Sequence, residues 1–132
     1  MANVLFVCLH NAGRSQMSEA LFTWAAEGRH QARSAGTEPS DRIQYEVILA
    51  MGEFAMDLRD RIPRRLERAD AEWADVVVTM GCGDECPYVP GVRYVDWDLP
   101  DPKGRPIGEV RTTRDEIARR VEALVEELDH SP

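Results

Sequence analysis

Lysine is almost missing from this chain: Lys103 stands alone among sixteen basic residues, the other fifteen being arginine. The skew reads mainly as compositional bias, although arginine is also the better ligand for tetrahedral oxyanions. Positive charge is short overall, 16 basic residues against 24 acidic for a net −8, so a nucleic-acid partner is not expected. Cysteine is scarce too. Cys8, Cys82 and Cys86 are too few to staple a small fold, and in a reducing compartment such cysteines point to chemistry or metal binding. No apolar run approaches the roughly 20 residues that span a bilayer, so no membrane partner is expected. Met1-Ala2-Asn3 lacks a basic leader, and Val4 to Leu9 is too short for a signal core, so a cytoplasmic location is expected. Repeats, low-complexity tracts and linkers are absent. What remains is ordinary globular composition, 43% hydrophobic and 30% charged over 132 residues, expected as a single domain over 1–132 and a monomer.

Strands and helices alternate along the chain. Val4-Leu5-Phe6-Val7 is a short apolar run that suits a strand buried on both faces. After a break at Cys8 to Gly13, the spacing of Met17, Ala20, Leu21, Trp24 and Ala25 predicts an amphipathic helix ending near Gly28. Ala32 to Ala35 suits a second strand closed by Gly36, and Val47, Ile48 and Met51 a second helix ending near Gly52. Pro63 to Ala69 reads as a short helical turn. Asp75 to Met80 carries the strongest strand signal, and Val92 to Trp97 alternates as another strand. A long helix follows from Glu109 to Leu128, with Val110, Ile117, Val121, Leu124, Val125 and Leu128 as its apolar set. The expected class is α/β, a parallel sheet with helices on both faces. Ligands of such sheets bind outside the carboxyl ends of the strands, where all three cysteines fall.

The informative stretch is Cys8-Leu9-His10-Asn11-Ala12-Gly13-Arg14-Ser15, which joins the first strand to the first helix. A loop so placed can turn successive backbone N–H groups inward and end on a helix N-terminus, a nest for a tetrahedral oxyanion. Arg14 can add a bidentate pair of charge-assisted hydrogen bonds. Cys8 lies beneath the nest, where the same donors favour a thiolate, and Ser15 can donate to its sulfur. A lone cysteine would read as a buried core thiol. Arginine six positions on, serine next and a strand-to-helix setting make it a nucleophile held in line with a bound oxyanion. His10, two residues along the nest, is expected to point outward.

Two further constellations stay open at the level of residues. An oxygen displaced from the oxyanion needs a proton, and Asp96, Asp98 and Asp101 are three candidate donors. Pro102 restricts Asp101 to an extended conformation. Cys82 and Cys86 stand at i and i+4, which on a helical turn places their Cα atoms about 6 Å apart, within disulfide reach. Gly81 and Gly83 leave that segment free to change shape. The pair reads as redox-active, as inert loop thiols, or as a weak metal signal with only His10, His30 and His130 to help; no metal is expected.

Val7 to Met17 resembles the active-site loop shared by low-molecular-weight protein tyrosine phosphatases and the arsenate reductases built on the same fold. Ser34-Ala35-Gly36-Thr37 and Asp101-Pro102 match that superfamily in order, and the likeness runs from residue 3 to residue 128. It implies a four-stranded parallel sheet flanked by helices. It implies Cys8 as nucleophile, the loop from Leu9 through His10, Asn11, Ala12 and Gly13 to Arg14 as oxyanion cradle, Asn11 as brace, Ser15 as thiolate stabiliser and Asp101 as acid. The similar reductases use a three-cysteine relay and no cofactor. On that pattern Cys82 attacks Cys8 and expels arsenite, Cys86 attacks Cys82, and thioredoxin reduces the resulting disulfide. Arsenate is then the substrate, with phosphate and sulfate as competing oxyanions.

The sequence departs from the pattern in three places. Only three residues separate Cys82 from Cys86, fewer than in many thioredoxin-coupled members. Lys103-Gly104-Arg105 follows Asp101-Pro102, where the phosphatase branch carries aromatics that wall a phosphotyrosine slot. Some members bind potassium, and Asn11, Glu19 and Ser34 stand at three of the ligand positions, yet Arg61-Ile62-Pro63-Arg64 offers no carboxylate. The alternatives are a tyrosine phosphatase using Cys8, Arg14 and Asp101 alone, a reductase recycled by mycothiol and mycoredoxin, and a non-enzymatic oxyanion sensor. The last has neither a basic face nor a DNA-binding helix pair.

Overall fold

The computed structural model describes residues 1–81 and 88–131. Strands β1 (Asn3–Cys8), β2 (Gln31–Gly36), β3 (Val76–Met80) and β4 (Arg93–Asp96) form one parallel sheet in the order β2-β1-β3-β4. Helices α1 (Arg14–Ala26), α2 (Tyr45–Gly52), α3 (Arg68–Trp73) and α4 (Ile107–Asp129) complete it. The all-apolar run Val4 to Val7 lies in β1, one of the two inner strands, and is fully buried because both faces are covered. Val4, Phe6, Val76, Val78 and Met80 pack with residues of α1, α2 and α4, whereas Leu5, Val7 and Val77 pack with Ala71 of α3 and with Ala74. Among the described residues no helix is long and apolar enough to cross a membrane.

Two local expectations are corrected. Trp24 is 69% exposed, while Phe22 and Ala26 are fully buried. Phe22 joins the expected Met17, Ala20 and Leu21 on the buried side of α1, its ring meeting Phe6 edge-on at 5.6 Å. Residues 63–67 are not helical. Arg65 bridges Gly36 in parallel, with Gly36 N–H donating to the Arg64 carbonyl at 2.9 Å and Leu66 N–H to the Gly36 carbonyl at 2.9 Å. Helix begins only at Arg68, where Asp70 Oδ2 reaches back to accept the Glu67 N–H at 3.0 Å.

The strand order reverses beside β1. The chain passes from β1 to β2 on one side and returns to lay β3 on the other, so a crevice opens between β1 and β3 at their carboxyl ends. Register fixes what lines it: Cys8 stands level with Gly36 and with Met80.

Candidate active site

The loop from Cys8 to Gly13 is pinned by its carbonyls. Those of Cys8, Leu9, His10 and Ala12 accept from the N–H groups of Thr37, Glu38, Ser40 and Gln44 at 3.3, 2.8, 3.0 and 3.0 Å. In a planar trans peptide the N–H points opposite to the C=O. Tying these carbonyls outward therefore turns the amides of Leu9, His10, Asn11 and Gly13 toward the cup in front of Cys8. Gly36 is what lets the loop lie so close, since a Cβ there would stand 2.8 Å from the Leu9 carbonyl oxygen and 2.9 Å from the Asn11 nitrogen.

Cys8 is buried at the end of β1 with Sγ 2.9 Å from Ser15 Oγ. Asn11 adopts a left-handed φ of 51°, tolerable for asparagine, and its side chain braces the loop. Its Nδ2 donates to Ser15 Oγ at 2.7 Å, while Oδ1 accepts from Gln16 Nε2 and from the Arg64 backbone N–H, both at 3.0 Å. Arg14 opens α1 directly from the loop. Its guanidinium is buried, with Nη1 donating to the Leu99 carbonyl at 3.2 Å and Nη2 3.8 Å from Asp101 Oδ2.

The three candidate carboxylates part company here. Asp96 accepts a hydrogen bond from Thr79 Oγ1 at 2.7 Å on the edge strand, and Asp98 is exposed between the buried Trp97 and Leu99. Asp101 alone of the three stands beside Arg14, its side chain 39% exposed. Its Oδ1 accepts the Lys103 N–H at 3.0 Å, and Pro102 lies against the loop so closely that a Cβ on Gly13 would meet its Cγ at 2.8 Å. His10 turns away from the cup, Nδ1–H donating to the Glu38 carbonyl at 3.0 Å.

Cys82 and Cys86 lie outside the described residues. Gly81, just before Cys82, lies against the clamp: with φ +88°, a Cβ there would stand 2.7 Å from Arg14 Nη1. Among the described residues no group of three or more His, Cys, Asp or Glu could hold a metal ion. Glu19 and Ser34 each face a guanidinium: Arg61 Nη1 donates to Glu19 Oε2 at 2.7 Å, and Arg64 Nη1 to the Ser34 carbonyl at 2.8 Å.

Sequence reasoning missed Gln16, Arg61, Arg64 and Gly81 as parts of this site. The signal for Gln16 was a polar residue in the first turn of a helix that leaves a buried loop. For the two arginines and Gly81 no local pattern existed, since their partners are brought in by the sheet from distant parts of the chain.

The arrangement can hold a tetrahedral oxyanion on inward amides and Arg14, with a sulfur beneath it and a carboxyl at its rim. The chain is similar to known proteins along most of its length. A "Putative arsenate reductase" of Halobacterium salinarum is 40% identical over 129 residues, 94% of this chain and 91% of that one. The glutaredoxin arsenate reductase of Synechocystis is 34% identical over 131 residues, 97% of this chain and 99% of its own. The thioredoxin-dependent arsenate reductase of Corynebacterium glutamicum superposes with a TM-score of 0.85 at 35% identity, over 100% of this chain and 63% of the longer one. The model of the low molecular weight phosphotyrosine protein phosphatases matches residues 3–131, and it is to this family that the chain belongs.

Proposed function

We propose that the protein is a cytoplasmic arsenate reductase that uses Cys8 as nucleophile and returns to its starting state through a thiol–disulfide relay. The amides of the loop and Arg14 bind arsenate. The Cys8 thiolate attacks arsenic, Asp101 protonates the departing oxygen, and water leaves a thio-arsenate ester. Cys82 then attacks the Cys8 sulfur. The electron pair of the S–As bond passes to arsenic, which leaves as arsenite, and a Cys8–Cys82 disulfide forms. Cys86 attacks Cys82, frees Cys8 as a thiolate, and leaves a Cys82–Cys86 disulfide for an external dithiol to reduce.

The observation that carries the reading is the meeting of Cys8, Ser15, Arg14 and Asp101 at one cup, in a chain similar to proteins named arsenate reductases. Two further cysteines in the sequence, unnecessary for phosphoryl transfer, support the redox half. Thioredoxin is the donor proposed; the Corynebacterium protein is described as thioredoxin-dependent, whereas the Synechocystis protein carries glutaredoxin in its name.

Arsenate-dependent NADPH consumption with thioredoxin and thioredoxin reductase tests the whole cycle. Sustained consumption is expected, abolished by Cys8→Ser and by Cys86→Ser, the latter still releasing one equivalent of arsenite when pre-reduced. Multiple turnover by Cys86→Ser with thioredoxin alone would overturn the relay. Consumption only with glutaredoxin or mycoredoxin would replace the donor. Failure of the pre-reduced protein to release one equivalent of arsenite would return the reading to a phosphatase.

A further inference from the structure

The hydrogen bonds behind Cys8 all run one way. The Arg64 backbone N–H can only donate, so the Asn11 atom it meets at 3.0 Å is the oxygen, and Asn11 Nδ2 faces Ser15 Oγ at 2.7 Å. Arg61 Nη1 is likewise a donor only. It lies 3.3 Å from Gln16 Oε1, which leaves Gln16 Nε2 to donate to Asn11 Oδ1 at 3.0 Å. Ser15 Oγ, accepting from Asn11, has its own proton free for Cys8 Sγ at 2.9 Å. From the far end the order is guanidinium, amide, amide, hydroxyl, sulfur, with each donor pointing toward Cys8. Gln16, Asn11 and Ser15 are buried, so little water competes for these bonds. Glu19 fixes the outer end by accepting from Arg61 at 2.7 Å.

We propose that Gln16 and Arg61 are positioning residues for the nucleophile: a chain of aligned donors carries the pull of the Arg61 guanidinium to the Cys8 thiolate. Bonds in series polarise one another, by about 10–30% each in a shielded interior. The inference rests on Cys8 acting as the nucleophile of the proposed reaction. Gln16 and Arg61 acting only as packing would change stability and leave the thiol's response to pH untouched.

The test is the rate of iodoacetamide alkylation against pH in a Cys82→Ser/Cys86→Ser protein, where Cys8 is the sole thiol. Near neutral pH, Arg61→Met is expected to slow alkylation about threefold and Gln16→Leu about tenfold, the differences vanishing at high pH where the thiol is fully ionised. Arg61→Lys keeps the charge and restores at least half of the lost rate. In a Gln16→Leu background Arg61→Met adds nothing, because the chain is already cut. An Arg61→Met profile that coincides with the parent's would overturn the proposal. So would Arg61→Lys behaving like Arg61→Met, or an Arg61→Met effect undiminished when Gln16 is Leu. Arg61 is a partly exposed residue, so the Met and Lys pair carries the test even if Gln16→Leu does not fold. No arsenate is present in this assay. A Cys82→Ser/Cys86→Ser protein that alkylates as expected, beside a pre-reduced native chain that releases no arsenite from arsenate, would sink the reductase reading and leave the donor chain standing.

Discussion

Gly81 and Gly91 share the same left-handed φ and differ in what surrounds them. Both have φ +88°, but a Cβ on Gly91 meets nothing within 4 Å, whereas one on Gly81 would stand 2.7 Å from Arg14 Nη1. Alanine at Gly91 therefore costs only the left-handed conformation, about 1–2 kcal/mol. Alanine at Gly81 costs the same strain and also drives the guanidinium away from the Leu99 carbonyl, which it now meets at 3.2 Å. Gly81→Ala is expected to raise the phosphate Kd about tenfold, the scale of one charge-assisted bond, while Gly91→Ala leaves it unchanged. Isothermal titration with phosphate separates the two, and equal affinities in both variants would mean that Arg14 has room to move. The sequence reads Gly81 as one of two glycines that leave the Cys82 segment free to change shape. Its contact with Arg14 spans about half of the chain, and no local pattern encodes it.

At the scale of elements, legibility tracked how much of an element's burial is apolar. The run Val76 to Met80 and the spacing from Val110 to Val125 put their elements in the right place, because apolar burial is what the eye can count. Helix α1 misled at its far end, where the apolar spacing put Trp24 on the core face although Phe22 and Ala26 are the buried residues and Trp24 is exposed. The segment before α3 misled because its order comes from pairing with Gly36. Glu53 shows the same kind of long-range order at the surface. Hydrogen bonds from Arg111 and then Arg114 hold its carboxyl well below the usual 4.5, at about 2. Arg114 is buried, donates to the Ala50 carbonyl at 2.8 Å and lies over the Phe54 ring, so Glu53 ties the end of α2 to α4. A depressed carboxyl contributes stability above its unfolded value and loses it as pH falls toward its folded one. Between pH 4.5 and 3 the urea midpoint is expected to fall less steeply in Glu53→Gln than in the parent. Asp57 is also held at about 2, but by Arg59 two residues on. That contact can persist in the unfolded chain, so Asp57→Asn is expected to keep the parent's slope. Equal slopes in the Glu53→Gln variant and the parent would deny the cross-link its role.

For the whole molecule, alternating strands and helices point to the carboxyl edge as the place for a ligand, and the reversal of strand order opens a crevice there between β1 and β3. What alternation could not supply is how many separate segments meet there. The cup joins the end of β1, the start of α1, the stretch from Thr37 to Gln44 that ties the loop carbonyls, and the segment from Leu99 to Pro102 that meets Arg14 and Gly13. None of these is a site alone, so an oxyanion bound in the cup has affinity for the folded chain only. Phosphate at about one hundred times its Kd should then stabilise the protein by about 2.7 kcal/mol. A net charge of −8 works against diffuse binding of anions elsewhere, so the rise in thermal midpoint should saturate rather than climb with ionic strength. Arg14→Lys keeps the charge but loses the planar fork suited to two oxygens of a tetrahedral anion, and most of the rise should disappear. Thermal scans against phosphate, with chloride at matched ionic strength, decide it: an unsaturated rise, or one that Arg14→Lys retains in full, would mean that the anion stabilises the fold from outside the cup.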